Sequence, residues 1–135
     1  MPNSLSNATI NYGNITEIPT ETVEVVANEA ANTIAGLSGR NRVIVTGDCS
    51  SNTVSQIGYA LKNSSAQILL DLSDVSGLTS IPQGCFRDSN SLVEITLPES
   101  VTKIGMQAFC MCRSLQSVYN LGNISTIPDE CFSNS

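Results

Sequence analysis

The three phenylalanines of this 135-residue chain, Phe86, Phe109 and Phe132, lie 23 positions apart. Aliphatic residues repeat with the same step in two series: Leu78, Val101 and Ile124, and Ile81, Ile104 and Ile127. A fixed period of about 20 to 50 residues is typical of a solenoid, in which each repeat buries its apolar edge only against its neighbours. The period therefore predicts stacked units of this length, and it directs the search for function to a surface rather than to a catalytic cleft.

Each unit contains one segment with the alternation of a short strand. The first unit runs from Leu78 to Ser100, the second from Val101 to Asn123, and an incomplete third begins at Ile124. In the first unit the pattern L-x-x-I-x-L points alternate side chains inward, and equivalent segments are expected to pair as a parallel sheet. The sequence leaves open whether the convex side carries strands of its own, although residues 102–104 suit one.

The residues before the repeats predict a flexible leader over 1–19, with an extended piece at 15–18, and then a capping module over 20–77. This module merges into the first repeat, and the repeats occupy 78–135. The predicted elements of the module are a helix over Thr20–Ala35 with Thr20 as its N-cap, a strand over Arg42–Thr46, a helix capped within Ser51–Thr53 and a strand over Ala66–Leu72. The predicted fold is therefore an α/β solenoid with an N-terminal helix-strand-helix cap.

Charge and hydropathy exclude two classes of partner. The net charge is -6, and no cluster of Lys or Arg exists that could follow phosphates. Neither nucleic acid nor an anionic membrane surface is therefore an expected partner. The sequence contains no run of about 18 apolar residues, so membrane insertion is not expected. The segment from Met1 to Thr20 lacks the charged start and apolar core of a secretory signal, so the chain is either cytosolic or the mature region of an exported protein.

Residue types that common catalytic sites require are missing. The chain has no histidine, which removes Ser-His-Asp and Cys-His catalysis and the usual zinc ligands. Glycine-rich phosphate loops are absent as well. Two carboxylate pairs, Asp71 with Asp74 and Asp129 with Glu130, are interpreted as solvated loop residues. The sequence therefore predicts no enzyme activity, no catalytic residue, no cofactor and no metal site.

The five cysteines are interpreted as structural thiols. Cys85 and Cys131 lie at the same phase of the repeat, just before a phenylalanine, where a thiol can act as a small buried hydrophobe. Two layers of the stack separate them by roughly 10 Å, which is too far for a direct disulfide. Cys110 and Cys112 would need further ligands to hold a metal. The alternative interpretation is that an odd cysteine joins two chains.

The repeat resembles the BspA-like, or treponemal-type, leucine-rich repeat, whose pattern is approximately L-x-x-I-x-L-P-x-x-V-x-x-I-G-x-x-A-F-x-x-C. The positions that match are Leu92, Ile95, Leu97, Pro98, Val101, Ile104, Gly105, Ala108, Phe109 and Cys112. Three positions depart from it: Pro82 and Pro128 replace the glycine, and Ser89 replaces the cysteine. The resemblance implies leucine-rich repeats, with the same period of 23 positions, around a parallel sheet.

For function, the resemblance implies a secreted or surface-exposed protein of a bacterium or a mucosal protist that adheres to host matrix or cells. It implies no common activity or ligand. The leading hypothesis is a non-enzymatic protein-binding module that uses the sheet face, with Tyr119 the favoured contact. The candidate residues are Val93, Glu94, Thr96, Gln116, Ser117 and Tyr119.

The rival hypothesis is a structural spacer or self-assembling unit. It would form a homodimer through the apolar edge of its last repeat, at Ile124, Ile127 and Phe132. An enzyme is the third hypothesis, and it would require a pocket with converging carboxylates.

Overall fold

The computed structural model describes residues 19–128 and 130–134. The leader predicted over 1–19 therefore falls, except for its last residue, outside the described residues. In chain order the elements are β1 (Thr20–Val26), α1 (Ala27–Ala35), β2 (Arg40–Asp48), α2 (Ser51–Lys62), β3 (Gln67–Ser76), β4 (Ser80–Ile81), β5 (Leu92–Thr96), β6 (Lys103–Ile104), β7 (Ser117–Tyr119) and a short 3-10 helix (Leu121–Asn123).

Five of the strands form one parallel sheet in the order β1-β2-β3-β5-β7. Between the last two strands, Glu94 pairs with Ser117 and Thr96 with Tyr119, so the partners lie one sequence period apart. The strands β4 and β6 form a second, two-stranded sheet in which Ser80 pairs with Lys103 at the same separation. The part of each coil that lies off the main sheet therefore carries a strand of its own, which the sequence had left open.

The helix predicted over Thr20–Ala35 is wrong in its first half, which is strand β1. This strand pairs with β2 along its whole length, from Thr20 opposite Arg40 to Val26 opposite Thr46. Its residues are mostly β-branched and alternate between exposed and half-buried positions, as a sheet requires. The side chain of Thr20 caps no helix, because its Oγ1 accepts a hydrogen bond from Arg40 Nε at 3.0 Å. The cap is thus strand-helix-strand-helix rather than helix-strand-helix.

The other predicted elements of this part are confirmed. The strand predicted over Arg42–Thr46 lies within β2, and the one predicted over Ala66–Leu72 corresponds to β3. The second helix is α2, although its N-cap is Ser50, whose Oγ accepts a hydrogen bond from the Thr53 N–H at 3.1 Å. The strands β2 and β3 lie on either side of α2 in the sequence and are parallel, as the two strands of a βαβ unit normally are.

One continuous core joins the helices to the coils. Both helices turn their apolar residues towards the same side of the sheet, and these residues belong to one buried cluster with the inward residues of β2, β3 and β5. The members from the helices are Ala27, Ala30, Ile34, Val54, Ile57 and Leu61. The helices therefore cover one side of the sheet and leave the other side open.

In the coils, the phenylalanines form a ladder that connects successive layers. The ring centroids of Phe86 and Phe109 are 5.4 Å apart, and those of Phe109 and Phe132 are 5.2 Å apart, with nearly parallel planes in both pairs. Phe86 and Phe109 are fully buried, and Phe132 is half-buried. Each ring is thus the packing partner of the next, and the regular repetition of phenylalanine in the sequence has a direct physical cause.

The backbone repeats as closely as the core. Left-handed backbone occurs at Gly84, Gln107 and Glu130, with φ of 63°, 60° and 65°. A second series, Asp88, Met111 and Asn134, has φ of 62°, 61° and 58°. Non-glycine residues rarely adopt this conformation. The coil geometry therefore imposes it at two fixed phases of the repeat, whatever residue is present.

The helical part meets the coils at Gly58 of α2. A Cβ atom at this position would overlap the carbonyl oxygen of Cys85, so only glycine permits the contact. Two further bonds cross the junction: Cys85 Sγ donates to the Val54 carbonyl at 3.5 Å, and Ser91 Oγ donates to the Leu61 carbonyl at 2.6 Å. The helix α2 is thus fixed directly against the first coil.

Candidate interaction surface

The side of the five-stranded sheet away from α1 and α2 is called here the exposed sheet face. Strand register arranges its residues in two rows that cross all five strands. The first row is Thr22, Arg42, Leu69, Glu94 and Ser117, and the second is Glu24, Ile44, Asp71, Thr96 and Tyr119. The face therefore combines charged, hydroxyl, aliphatic and aromatic groups on a regular sheet.

Five of the six predicted contact residues are accessible at this end of the sheet. Tyr119 is 49% exposed, Gln116 is exposed, and Glu94, Thr96 and Ser117 are half-buried. The sheet brings Glu94 beside Ser117 and Thr96 beside Tyr119. Whether they bind a protein stays a prediction.

Val93 differs from its prediction, because only 4% of it is exposed. The register between β3 and β5 shifts at this point, so that Ile68 pairs with Leu92 but Leu69 pairs with Glu94. Val93 is therefore the additional residue of a β-bulge and does not follow the simple alternation of the strand. Its side chain lines a depression beside Arg40 and Gln67 instead of standing out from the face.

Sequence reasoning predicted the strands β2 and β3 but not β1, and it placed no candidate contact residue on any of the three. Glu24, Arg42, Ile44 and Asp71 share rows with the predicted residues, although they lie in the segment interpreted as a cap. The sequence pattern that could have revealed β1 as a strand is its alternation of polar and β-branched residues, but this pattern also fits the start of a helix. The exposed sheet face is therefore more than twice as wide as the repeats alone predict.

Hydrogen bonds hold several side chains on and around the face. Arg40 Nε donates to Thr20 Oγ1 at 3.0 Å, and its Nη1 donates to Gln67 Oε1 at 3.1 Å. Asp71 Oδ1 accepts bonds from the backbone N–H and the hydroxyl of Ser73, at 2.9 and 2.6 Å. These bonds connect β1, β2 and β3, and they reduce the side-chain entropy that a bound partner would otherwise have to remove.

The predicted edge of the last repeat is only partly exposed. Ile124 and Phe132 are half-buried and pack against the core, and Phe132 stacks on Phe109. Ile127 remains 45% exposed. The three residues therefore differ, and Ile127 is the one that presents most apolar surface to solvent.

The cysteine side chains are sheltered from solvent. Cys49, Cys110, Cys112 and Cys131 are buried, and Cys85 is half-buried. Burial raises the pKa of the Cys85 thiol to about 12 and that of Cys112 to about 11. Both thiols are therefore protonated at neutral pH, whereas the deprotonated thiolate is the form that acts as a nucleophile or a metal ligand. Cys112 Sγ donates a hydrogen bond to the Phe86 carbonyl at 2.8 Å, which ties one coil to the next.

Other features of the described residues concern metal ligands, membrane-spanning helices and a depression between the two helices. No three His, Cys, Asp or Glu side chains in the described part of the chain come together as a metal site would require. Over the same residues, no helix has the length and apolar character needed to cross a bilayer. A depression of about 680 Å³ lies between α1 and α2, and small residues, Tyr59 and amide side chains line it, without a carboxylate.

Comparison with known proteins identifies the repeat. The family model described as the BspA type leucine rich repeat region (6 copies) matches residues 48–135. The chain belongs to this family. The match includes α2 and β3 as well as the coils from Leu78 onwards. Neither the search of curated proteins nor the search of solved structures found a match.

Membership confirms the resemblance drawn from the sequence, and the parallel sheet agrees with a leucine-rich repeat solenoid. Repeats of this family are typically non-enzymatic modules for protein interaction, on proteins that are typically secreted or surface-exposed.

Proposed function

We propose that this chain is an adhesion module of a secreted or surface protein, and that it binds a host matrix or cell-surface protein through the exposed sheet face. The observation that carries the proposal is the width of this face, which crosses five strands and ends at the exposed Tyr119. Tyrosine supplies a large contact area with few rotatable bonds, and it is enriched among the residues that dominate binding energy.

The arrangement of the two rows supports the same proposal. Ile44 is half-buried on the face, and register places it between Glu24 and Asp71. An apolar centre with charged neighbours is the composition expected of a protein interface, in which a buried core is surrounded by a polar rim. The helices cover the other side of the sheet, so this face is the broad regular surface that remains.

The test is a selection of binders from a peptide or small-protein display library against the immobilised chain. Tyr119→Ala should weaken the selected binders by about 2 kcal/mol or more, because it removes the anchor of the face. Tyr59→Ala is the matched control, since Tyr59 is 71% exposed but lies on α2, on the opposite side. Binders that are sensitive to Tyr59→Ala and indifferent to Tyr119→Ala would contradict the proposal.

A second candidate function is self-assembly through the edge of the last repeat, favoured by the 45% exposure of Ile127. Light scattering after size exclusion should then detect a homodimer that persists in reductant. Ile127→Asp should convert it to a monomer, because a charge in an apolar contact is strongly unfavourable. A chain that is monomeric at every concentration would exclude this candidate.

A further inference from the structure

The charges of the exposed sheet face are separated along the strand direction. Arg40 and Arg42 occupy the start of β2, and Arg113 precedes β7. The acidic residues lie further along the strands: Glu24 is in the second half of β1, Asp71 is at the middle of β3, and Asp74 is in the second half of β3. Because all strands are parallel, the starts of the strands share one edge of the sheet and their ends share the other. One edge is therefore basic and the other acidic.

The basic edge contains a shallow depression of about 310 Å³. Its lining residues are Arg40, Gln67, Val93, Arg113, Leu115 and Gln116, with Ser114 completing it. Two arginines thus border a depression whose other groups are apolar side chains and neutral hydrogen-bonding side chains. No carboxylate is part of this lining.

The guanidinium of Arg40 is already oriented. Thr20 and Gln67 accept hydrogen bonds from its Nε and Nη1, and these are the side-chain bonds that Arg40 makes to the described residues. Within the same residues the one ion pair is between Arg87 and Asp88. The remaining N–H groups of Arg40 are thus available, and a guanidinium can bind a carboxylate with two parallel hydrogen bonds.

The two edges act separately despite the net charge of -6. Gln67, beside Arg40, and Asp71, on the acidic side, are four residues apart in β3, which corresponds to about 13 Å. Charges in solvent are largely screened beyond about 8 Å at physiological ionic strength. A partner therefore meets a locally positive edge around Arg40, while the row of Arg42 also contains Glu94.

We propose that the Arg40–Arg113 depression anchors the acidic side chains of an extended protein segment whose basic residues lie over Glu24, Asp71 and Asp74. This inference rests on the proposed function and specifies the partner as a segment of dipolar charge. A polyanion such as nucleic acid or a sulfated glycan fits worse, because its further charges would meet the acidic edge. The occupant is therefore a polypeptide with separated blocks of charge.

The test measures fluorescence anisotropy of a labelled, C-terminally amidated decapeptide with three glutamates, four glycine or serine spacers and three lysines. The spacers extend over about 14 Å, which matches the separation of the edges. A peptide of the same composition with alternating charges is the control probe. We expect the block peptide to bind about tenfold more tightly than the control peptide, because only it places both charge blocks at once.

Three variants identify the site. Arg113→Gln and Arg40→Gln should each weaken the block peptide about tenfold, which corresponds to the loss of one charge-assisted hydrogen-bonded contact. Arg113 is the cleaner choice, because Arg40→Gln also removes the bonds to Thr20 and Gln67. Arg87→Gln makes the same change in net charge away from the depression, and it should leave the affinity unchanged.

Several outcomes would overturn the inference. These are equal binding of both peptides, no binding of either, an equal effect of Arg87→Gln, or tighter Arg113-dependent binding of a heparin oligosaccharide. The further inference and the proposed function can fail separately. If library binders are lost with Tyr119→Ala but are unaffected by Arg113→Gln, the exposed sheet face binds protein and only the inferred partner chemistry is wrong.

Discussion

The first three strands of the main sheet and the last two are backed by different structures. Behind β1, β2 and β3 lie two regular helices, α1 and α2, whereas the coils that carry β5 and β7 use two-residue strands and tight turns. The helices need amphipathic sequences but no fixed period. The coils need a phenylalanine ladder and left-handed backbone at constant phases. A parallel sheet can thus be covered on one side either by helices or by the remainder of each coil. Of the two, the coils show the 23-residue period of phenylalanine in the sequence.

The largest effect is expected from removing the core of a coil. Phe109→Ala should destabilise the chain by about 3 to 5 kcal/mol, because a fully buried ring stacked on both neighbours is replaced by a cavity. Ile57→Ala removes an equally buried residue from α2 and should cost about 2 to 5 kcal/mol.

Urea denaturation of these two variants also tests whether the helical part and the coils unfold together. Since both residues belong to one core cluster, each variant should keep a single transition at a lower midpoint. Two separate transitions in either variant would show that the two backings form independent folding units.

The junction between the two regions gives the next effect. Gly58→Ala should destabilise by about 1 to 3 kcal/mol, because a methyl group cannot occupy the space held by the Cys85 carbonyl and the helix must move away. Gly122→Ala is the matched control, since a Cβ there meets no atom within 4 Å. A neutral or stabilising Gly58→Ala would mean that α2 is not fixed against the first coil.

A smaller effect is expected at two serines of the first coil. The buried hydroxyl of Ser89 has no hydrogen-bond partner among the described residues, at the position where the next coil has Cys112. Ser89→Cys should therefore stabilise the chain by about 1 kcal/mol, since an unpaired buried hydroxyl is unfavourable. Ser91→Ala should destabilise by about 1 kcal/mol, because it removes the bond to the Leu61 carbonyl.

Thermal unfolding of the two serine variants distinguishes them by sign. The melting temperature should rise for Ser89→Cys and fall for Ser91→Ala. A fall for both would mean that the first coil has no room for the sulfur atom.

The smallest effect concerns the left-handed positions. Gly84→Ala should cost about 1 kcal/mol, because φ is 63° there although nothing within 4 Å opposes the added methyl group. Gly36→Ala, at the end of α1 with φ of -97°, should be close to neutral. Equal midpoints for the two variants in urea would show that the coil does not constrain its backbone at this phase.

Sequence reasoning was most successful where the determinants are local and repeated. The ladder residues and the L-x-x-I-x-L segments predicted the coils, because each coil meets a neighbour of the same composition. The strand β1 was missed because Val23, Ala27, Ala30 and Ile34 keep helical spacing across the boundary between β1 and α1. What decides the strand is its pairing with β2, a contact between segments distant in sequence.

The candidate surface was predictable only where it depends on the alternation within a single strand. Glu94, Thr96, Ser117 and Tyr119 follow from alternation within single strands, and the structure brings them side by side. The bulge that buries Val93 depends on register with β3, and the alignment of Arg42 with Glu94 depends on two successive pairings. Neither can be obtained from one strand alone, so the separation of charge was not foreseen.

The recurrence of the same backbone and the same ring contact in every coil bears on how such a gene can change. Insertion or deletion of one whole unit would leave the flanking units facing a surface of the same shape, so unequal recombination between units yields a foldable product. The number of units, and with it the length of the exposed sheet face, can then vary between generations without any compensating substitution in the core.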